Sequence, residues 1–168
     1  METAGSTDSI ISIDCYPCYS FISNNQWYAE EKTALGNLIL DETGQVMGMR
    51  VLSNDANGVN VEVSLQTTGT IRGVPENTLW TYNILTRPDG SVQGGGNGIM
   101  TTQDGDVIAL IGNGSGKAVP PGETTNFRTM LHPHSASPKY ADLNGTAWAG
   151  EYDVNADGSA VNKCWEWK

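Results

Sequence analysis

The clearest pattern along this chain is a strict alternation of apolar and polar residues, which is most regular in "GVNVEVSLQTTGTIRG", residues 58–73. One face of this run carries Val59, Val61, Val63, Leu65, Thr67 and Ile71, and the other carries Asn60, Glu62, Ser64, Gln66, Thr68, Thr70 and Arg72. A period of two is typical of a strand that is buried on one side. The alternation shows which residues share a face, but it does not show which face points inward.

Turn signals recur at intervals of about one strand length. They are Thr43-Gly44, Asn57-Gly58, Asp89-Gly90, Asp104-Gly105, Asn144-Gly145 and Asp157-Gly158. Asn-Gly and Asp-Gly suit hairpins because both residues tolerate a positive φ. The runs between these turns predict strands near residues 35–42, 45–53, 58–72, 78–87, 91–102, 106–117, 123–132, 146–155 and 160–167.

Eight or nine short strands in sequence order, without crossover helices, predict an all-β protein with a barrel or sandwich architecture. We favour an eight-stranded antiparallel up-and-down β-barrel, because most links look like hairpins and closure removes exposed edges. The barrel domain is predicted to span residues 29–168. Residues 1–28 are interpreted as an N-terminal extension, in which a polar "METAGSTDS" precedes an apolar "IISIDCYPCYSFIS" that suits an added strand or a lid.

The charge of the chain excludes several classes of partner. The formal net charge is −10, and the nine basic residues are scattered along the sequence, so nucleic acid and anionic membranes are not expected partners. The first ten residues contain two acids and no basic residue, which is unlike a secretory signal. No apolar run reaches the roughly 18 residues that would suggest a membrane span. These features predict a soluble, cytoplasmic protein.

A glycine-rich stretch, "QGGGNGIMTTQDGDVIALIGNGSGK" (residues 93–117), first suggests a phosphate-binding loop. A P-loop fails because Ile111 stands where its first glycine belongs and Ala118 stands where its hydroxyl belongs. We interpret the stretch as two glycine-alternating strands around the Asp104-Gly105 turn. A three-residue bulged loop would place Gly98 opposite Gly112, Gly96 opposite Gly114 and Gly94 opposite Gly116, whereas a two-residue loop would move each glycine to the other face.

Cysteine and histidine residues do not predict a metal site. Cys15 and Cys18 form a lone CxxC motif, and the further candidate ligands are Cys164, His132 and His134. The two histidines are only two residues apart, closer than the usual zinc-binding pair. Free thiols explain the cysteines better, and we expect neither a metal nor another cofactor.

The strand aromatics suggest a small-molecule site. Trp80 and Tyr82 share one face of "NTLWTYNIL", and Trp148 and Tyr152 share one face of "TAWAGEYDV". Such residues either fill the barrel as core or line an apolar pocket in which their polar atoms orient a ligand.

Charged residues in strand-like runs need partners if they point inward. The four that we single out are Arg50, Glu76, Arg128 and Glu151. Arg128 and Glu151 lie on successive predicted strands, a placement that allows them to pair. A paired carboxylate beside a tyrosine in an apolar lumen would have a raised pKa and could act as an acid or base, although a surface pair is the commoner arrangement.

With the strands laid out, the chain from about Ala29 to Lys168 resembles the allene oxide cyclase-like barrel superfamily, which includes dirigent proteins. The resemblance rests on the glycine hairpin, "NFRTML", "LNGTAWAGEYDV" and the closing "WEWK". It implies an eight-stranded antiparallel barrel that forms dimers or trimers and binds an apolar small molecule in its lumen. Characterised members guide ring closure or radical coupling without a cofactor. The resemblance assigns no catalytic residue in this chain.

These observations predict a cofactor-independent cyclase or isomerase that acts on an apolar small molecule in the lumen. The alternative is a non-catalytic barrel that binds a small molecule or lipid. The residues assigned to catalysis are Tyr82, Arg128 and Glu151, and those assigned to substrate binding are Trp80, Trp148, Tyr152 and His132. Both hypotheses require an open lumen.

Overall fold

The computed structural model describes residues 34–168, so the predicted extension of residues 1–28 lies outside the described residues. Eight antiparallel strands pair in sequence order, and β8 pairs with β1 to close a barrel. The predicted all-β, eight-stranded up-and-down barrel is confirmed. The strands are β1 (Leu35–Asp55), β2 (Gly58–Ile71), β3 (Val74–Thr86), β4 (Ser91–Thr102), β5 (Val107–Lys117), β6 (Thr125–His134), β7 (Trp148–Val154) and β8 (Ser159–Trp167).

One predicted turn is absent. β1 continues through Thr43 and Gly44, which pair with Thr68 and Thr67 of β2. Gly44 serves packing instead of turning, because a Cβ atom at this position would lie 2.6 Å from the methyl group of Thr67 and closer still to the carbonyl oxygen of Gln66. The two runs predicted at residues 35–42 and 45–53 are therefore one strand of 21 residues.

The glycine hairpin has a different register from the predicted one. Gly94 lies opposite Gly114, and Gly96 lies opposite Gly112, which is a shift of two residues. A backbone hydrogen bond of 2.9 Å from Thr102 N to Asp106 O closes a three-residue loop of residues 103–105, which is centred one residue earlier than the loop that the predicted register requires. An even shift keeps all these glycines on the predicted shared face.

The core fills one end of the barrel. A 3-10 helix between β6 and β7, Pro138–Leu143, buries Tyr140 and Leu143. These two side chains pack in one cluster with buried strand residues: Leu40, Ile71, Met100, Ile108, Leu110, Trp148 and Cys164. Within residues 34–168, no helix is long and apolar enough to cross a membrane. The residual space of the lumen lies further along the strands, beside the glycine hairpin.

Candidate functional site

A cavity of about 80 Å³ lies inside the barrel. This is several times the roughly 10–15 Å³ that a single water molecule requires. Its walls are largely apolar, and they combine aliphatic, aromatic and glycine positions with a few polar groups. The lining consists of Glu42, Leu65, Thr67, Trp80, Tyr82, Ile84, Gly94, Gly95, Gly96, Gly112, Asn113, Gly114, Phe127, Thr129, Leu131, Tyr152 and Asn162.

The glycine hairpin makes room for this cavity and for the indole ring beside it. Gly98 lies opposite Trp80 in the β3–β4 pairing, and a Cβ atom on Gly98 would lie 2.8 Å from that ring. A Cβ atom on Gly112 would lie 2.6 Å from a methyl group of Leu131 and 3.6 Å from Trp80. Side chains at these two glycine positions would therefore occupy space that Trp80 and the cavity now share.

Two tyrosines on different strands meet in the lumen. The hydroxyl oxygens of Tyr82 on β3 and Tyr152 on β7 are 2.8 Å apart, and the rings meet edge to face with centroids 6.2 Å apart. Phe127 stacks on Tyr152 at 5.7 Å. Burial raises the pKa of both phenols, so both stay protonated. One hydroxyl donates to the other, and the hydrogen of the accepting hydroxyl remains free for a ligand.

The carboxylate of Glu42 lies in the wall of the same cavity and is fully buried. Thr67 Oγ1 donates to its Oε1 at 3.0 Å, and Asn162 Nδ2 donates to its Oε2 at 2.9 Å. Burial raises the pKa of Glu42, and the hydrogen bonds, led by that from Asn162, oppose the rise. Asn162 is fixed in turn because its Oδ1 accepts the thiol of buried Cys164 at 3.5 Å.

A second buried carboxyl, Glu76, faces Glu42 across a glycine. Glu42 pairs with Gly69 of β2, and Gly69 pairs with Glu76 of β3, so no side chain separates the two carboxyl groups. Thr78 Oγ1 donates to Glu76 Oε2 at 2.5 Å, while Glu76 Oε1 has no hydrogen-bond partner within residues 34–168. Burial, followed by the charge of Glu42, raises the pKa of Glu76 to about 7. The negative charge of Glu42 thus favours the protonated form of Glu76.

Three of the residues assigned from the sequence meet in this site. Trp80, Tyr82 and Tyr152 all line the cavity. Trp148 is also buried but belongs to the core cluster, and it is not part of the cavity wall. Its indole Nε1 has no hydrogen-bond partner in the described part of the chain.

The other three assigned residues lie outside the lumen. Arg128 and Glu151 are opposite each other on β6 and β7 and form a pair, with 3.5 Å between their charged atoms. Their side chains are 65% and 56% exposed, so this is the surface arrangement. His132 is exposed on the same outer side of β6. These three residues are not part of the candidate site.

The site contains residues that the sequence reasoning did not assign, chiefly Glu42, Thr67 and Asn162. Glu42 is the last residue of the predicted strand 35–42 and precedes the predicted Thr43-Gly44 turn, a position at which an acid is ordinarily exposed to solvent. The available signal was the spacing of two residues between Glu42 and Leu40, since alternate residues of a strand share a face. Both side chains are indeed fully buried.

Within the described residues, no group of three or more His, Cys, Asp and Glu side chains is arranged to hold a metal ion. Burial raises the pKa of the Cys164 thiol, and Cys164 belongs to the core. Cys15 and Cys18 lie outside the described residues. The ionisable groups that line the cavity are the carboxyl of Glu42 and the phenols of Tyr82 and Tyr152.

The fold and site define a small closed β-barrel with an internal cavity that contains ionisable groups. Similar barrels occur among solved structures. A protein of unknown function from Clostridium acetobutylicum ATCC 824 matches with a TM-score of 0.70 and 16% identity, over 79% of this chain and 98% of its own. A beta-barrel like protein from Acinetobacter baumannii AYE matches with a TM-score of 0.65 and 17% identity, over 79% and 96%.

An enzyme from Penicillium herquei also shares the barrel, with a TM-score of 0.57 and 14% identity, over 79% of this chain and 96% of its own. At these identities the likeness shows the fold. No protein-family model matches this sequence, and no curated protein matches it. The predicted membership of the allene oxide cyclase-like superfamily therefore stays a prediction.

Proposed function

We propose that this protein is a cofactor-independent isomerase or cyclase that acts on a small, largely apolar molecule in the barrel lumen. The observation that carries the proposal is the carboxylate of Glu42 in the wall of an otherwise largely apolar cavity. Burying a carboxylate is costly, and a barrel that only binds an apolar molecule has no need of one. An acid–base group in such a site can move a proton within a bound molecule.

The surrounding residues have roles that follow from their positions. Trp80, Phe127 and Leu131 shape the apolar wall, and a shaped wall favours catalysis by holding reacting atoms in a near-attack geometry. Tyr82 and Tyr152 supply a hydroxyl hydrogen that can bind an oxygen of the substrate. The proposed chemistry leaves the mass of the substrate unchanged, because isomerisation and ring closure only rearrange bonds.

Binding in the lumen is tested first with toluene as an apolar probe, by saturation-transfer NMR. We expect wild-type protein to bind toluene and the Gly112→Ala variant to bind it much more weakly, because the added methyl group enters the lumen beside Leu131 and Trp80. Leu131 can yield at the flexible end of its side chain, so the variant is expected to fold. Gly48→Ala is the matched control, because a Cβ atom there has no neighbour within 4 Å.

Catalysis is tested by incubating wild-type protein with small unsaturated ketones, epoxides and hydroxy-enones, followed by gas chromatography with mass detection. We expect at least one compound to give a product of equal mass and new retention time, and Glu42→Gln to abolish it. Recovery of every bound compound unchanged would reject the enzyme and favour the non-catalytic binding protein.

A homodimer or homotrimer and a cytoplasmic location stay predictions.

A further inference from the structure

The carboxyl group of Glu42 and the phenols of Tyr82 and Tyr152 lie in the cavity wall, which contains no cationic side chain among residues 34–168. The lining residues, all within the described part of the chain, include no Lys, Arg or His. A substrate carboxylate or phosphate would lose its hydration there and would face the negative charge of Glu42 without compensation. The cavity therefore suits a neutral molecule.

The register of β7, β8 and β1 places Glu42 and Tyr152 on either side of Asn162. Asn162 of β8 pairs with Tyr152 of β7 on one side and with Glu42 of β1 on the other. Glu42 and Tyr152 are thus two strand spacings apart, which is about 10 Å between backbones, and both side chains reach into the cavity between them. The carboxyl group and the phenol pair therefore border the same space.

The carboxylate is prepared to accept a proton from the cavity. Thr67 and Asn162 donate hydrogen bonds to its two oxygens, and the neighbouring Glu76 has a pKa that is raised to about 7. The phenol pair has one hydroxyl hydrogen committed between Tyr82 and Tyr152 at 2.8 Å, which leaves the other free to donate. Burial keeps this hydroxyl neutral. A neutral donor that is already in position stabilises a developing oxyanion.

We propose that the cavity binds a neutral, enolisable unsaturated ketone or aldehyde, with Glu42 as the base and the Tyr82–Tyr152 pair as the donor to its carbonyl oxygen. This inference rests on the proposed function and names its substrate class. The C–H bond beside the carbonyl breaks, its proton moves to Glu42, and its electron pair moves toward the carbonyl oxygen. Glu42 then returns the proton to another carbon of the conjugated system. Atoms and charge balance without an oxidant or a reductant.

The test uses 2-cyclohexen-1-one in D₂O with wild-type protein, and NMR follows deuterium uptake at the carbons that the carbonyl acidifies. We expect exchange about 100-fold or more above the buffer rate, a typical effect of a positioned base. Glu42→Gln should return exchange to the buffer rate. Glu62→Gln is the matched control, since Glu62 lies in a strand and pairs with Arg50 on the outer face at 2.9 Å. Circular dichroism establishes that each variant is folded.

Tyr82→Phe and Tyr152→Phe test the donor. Either change leaves a single phenol that can still donate, so we expect a partial loss of exchange. The double variant should lose most exchange and also the preference for the ketone over cyclohexene, which has the same ring but no carbonyl. A merely structural tyrosine pair would not alter that preference.

The outcomes separate this inference from the proposed function. Binding of cyclohexenone without exchange above the buffer rate, or with equal exchange in Glu42→Gln, would overturn the inference and leave an isomerase or cyclase of another substrate class. Equal affinity of wild type for cyclohexene and cyclohexenone would overturn the role of the tyrosine pair. If toluene, cyclohexene and cyclohexenone all fail to bind, the proposed function itself fails.

Discussion

Replacing Glu76 by glutamine should make the protein more stable at alkaline pH. The side chain is 7% exposed, and burial together with the charge of Glu42 raises its pKa from 4.5 to about 7. The folded protein therefore keeps this proton over a pH range in which the unfolded chain releases it. The contribution of Glu76 to stability is complete below pH 4.5 and is lost as pH rises through 7.

The magnitude follows from that range. Each pH unit between the two pKa values corresponds to about 1.4 kcal/mol, so the carboxyl lowers the free energy of unfolding by about 3 kcal/mol once the pH exceeds 7. Glutamine has the shape of the protonated acid, and its amide can donate to Glu42. The variant should thus match wild type at pH 4 and exceed it by about 3 kcal/mol at pH 8.

Urea unfolding, followed by tryptophan fluorescence at a series of pH values, measures this difference. Glu62→Gln is the control, because it removes a carboxylate from the outer face of a strand and should not reproduce the pH-dependent gain. The reasoning is refuted if Glu76→Gln and wild type lose stability in parallel between pH 4 and pH 8. That result would mean that Glu76 ionises in the folded protein as it does in the unfolded chain.

Three further changes test other parts of the structure. Gly69→Ala should lower the free energy of unfolding by about 2 kcal/mol or more, because the new Cβ atom would meet backbone atoms of β1. A loss of stability in urea unfolding that is no larger than that of Gly48→Ala would contradict this prediction. Arg128→Met should lower the free energy of unfolding by less than about 1 kcal/mol, because the pair of Arg128 with Glu151 is exposed. A larger loss of stability in the same assay would show that the pair matters for folding. Cys164 should resist iodoacetamide in the folded protein and react with it in urea, because burial raises the pKa of its thiol. Peptide mass mapping measures this labelling, and rapid labelling of Cys164 in the folded state would show that the core is open.

Much of the fold follows from local sequence, because the signals are local. Alternation in β2 places Val63, Leu65, Thr67 and Ile71 on one face, and all four are buried. Glycines at Asp89-Gly90, Asp104-Gly105 and Asp157-Gly158 have the positive φ that such turns require. Hairpins between consecutive strands then leave barrel closure as the way to pair the first strand with the last.

The site could be predicted only in part, because parity groups residues without showing which group faces inward. Glu151 and Tyr152 are neighbours on β7 and were both assigned to the lumen. Adjacent residues of a regular strand point to opposite sides of the sheet, so at most one of them can line the cavity. Tyr152 does so, while Glu151 and its partner Arg128 form a pair on the surface.

The carboxyl pair could not be predicted from local sequence, because it depends on what stands opposite two glycines. Gly44 looks like part of a turn, but its partner on β2 is Thr67, and the missing side chain lets β1 continue past Glu42. Gly69 looks like an interruption of the β2 pattern, but it lies between Glu42 and Glu76. A glycine is informative through the space that it leaves, and that space is defined by a neighbouring strand whose register only the folded barrel sets. The groups that most distinguish this cavity from ordinary core therefore come together through pairing across β1, β2 and β3, a relationship that no single strand carries.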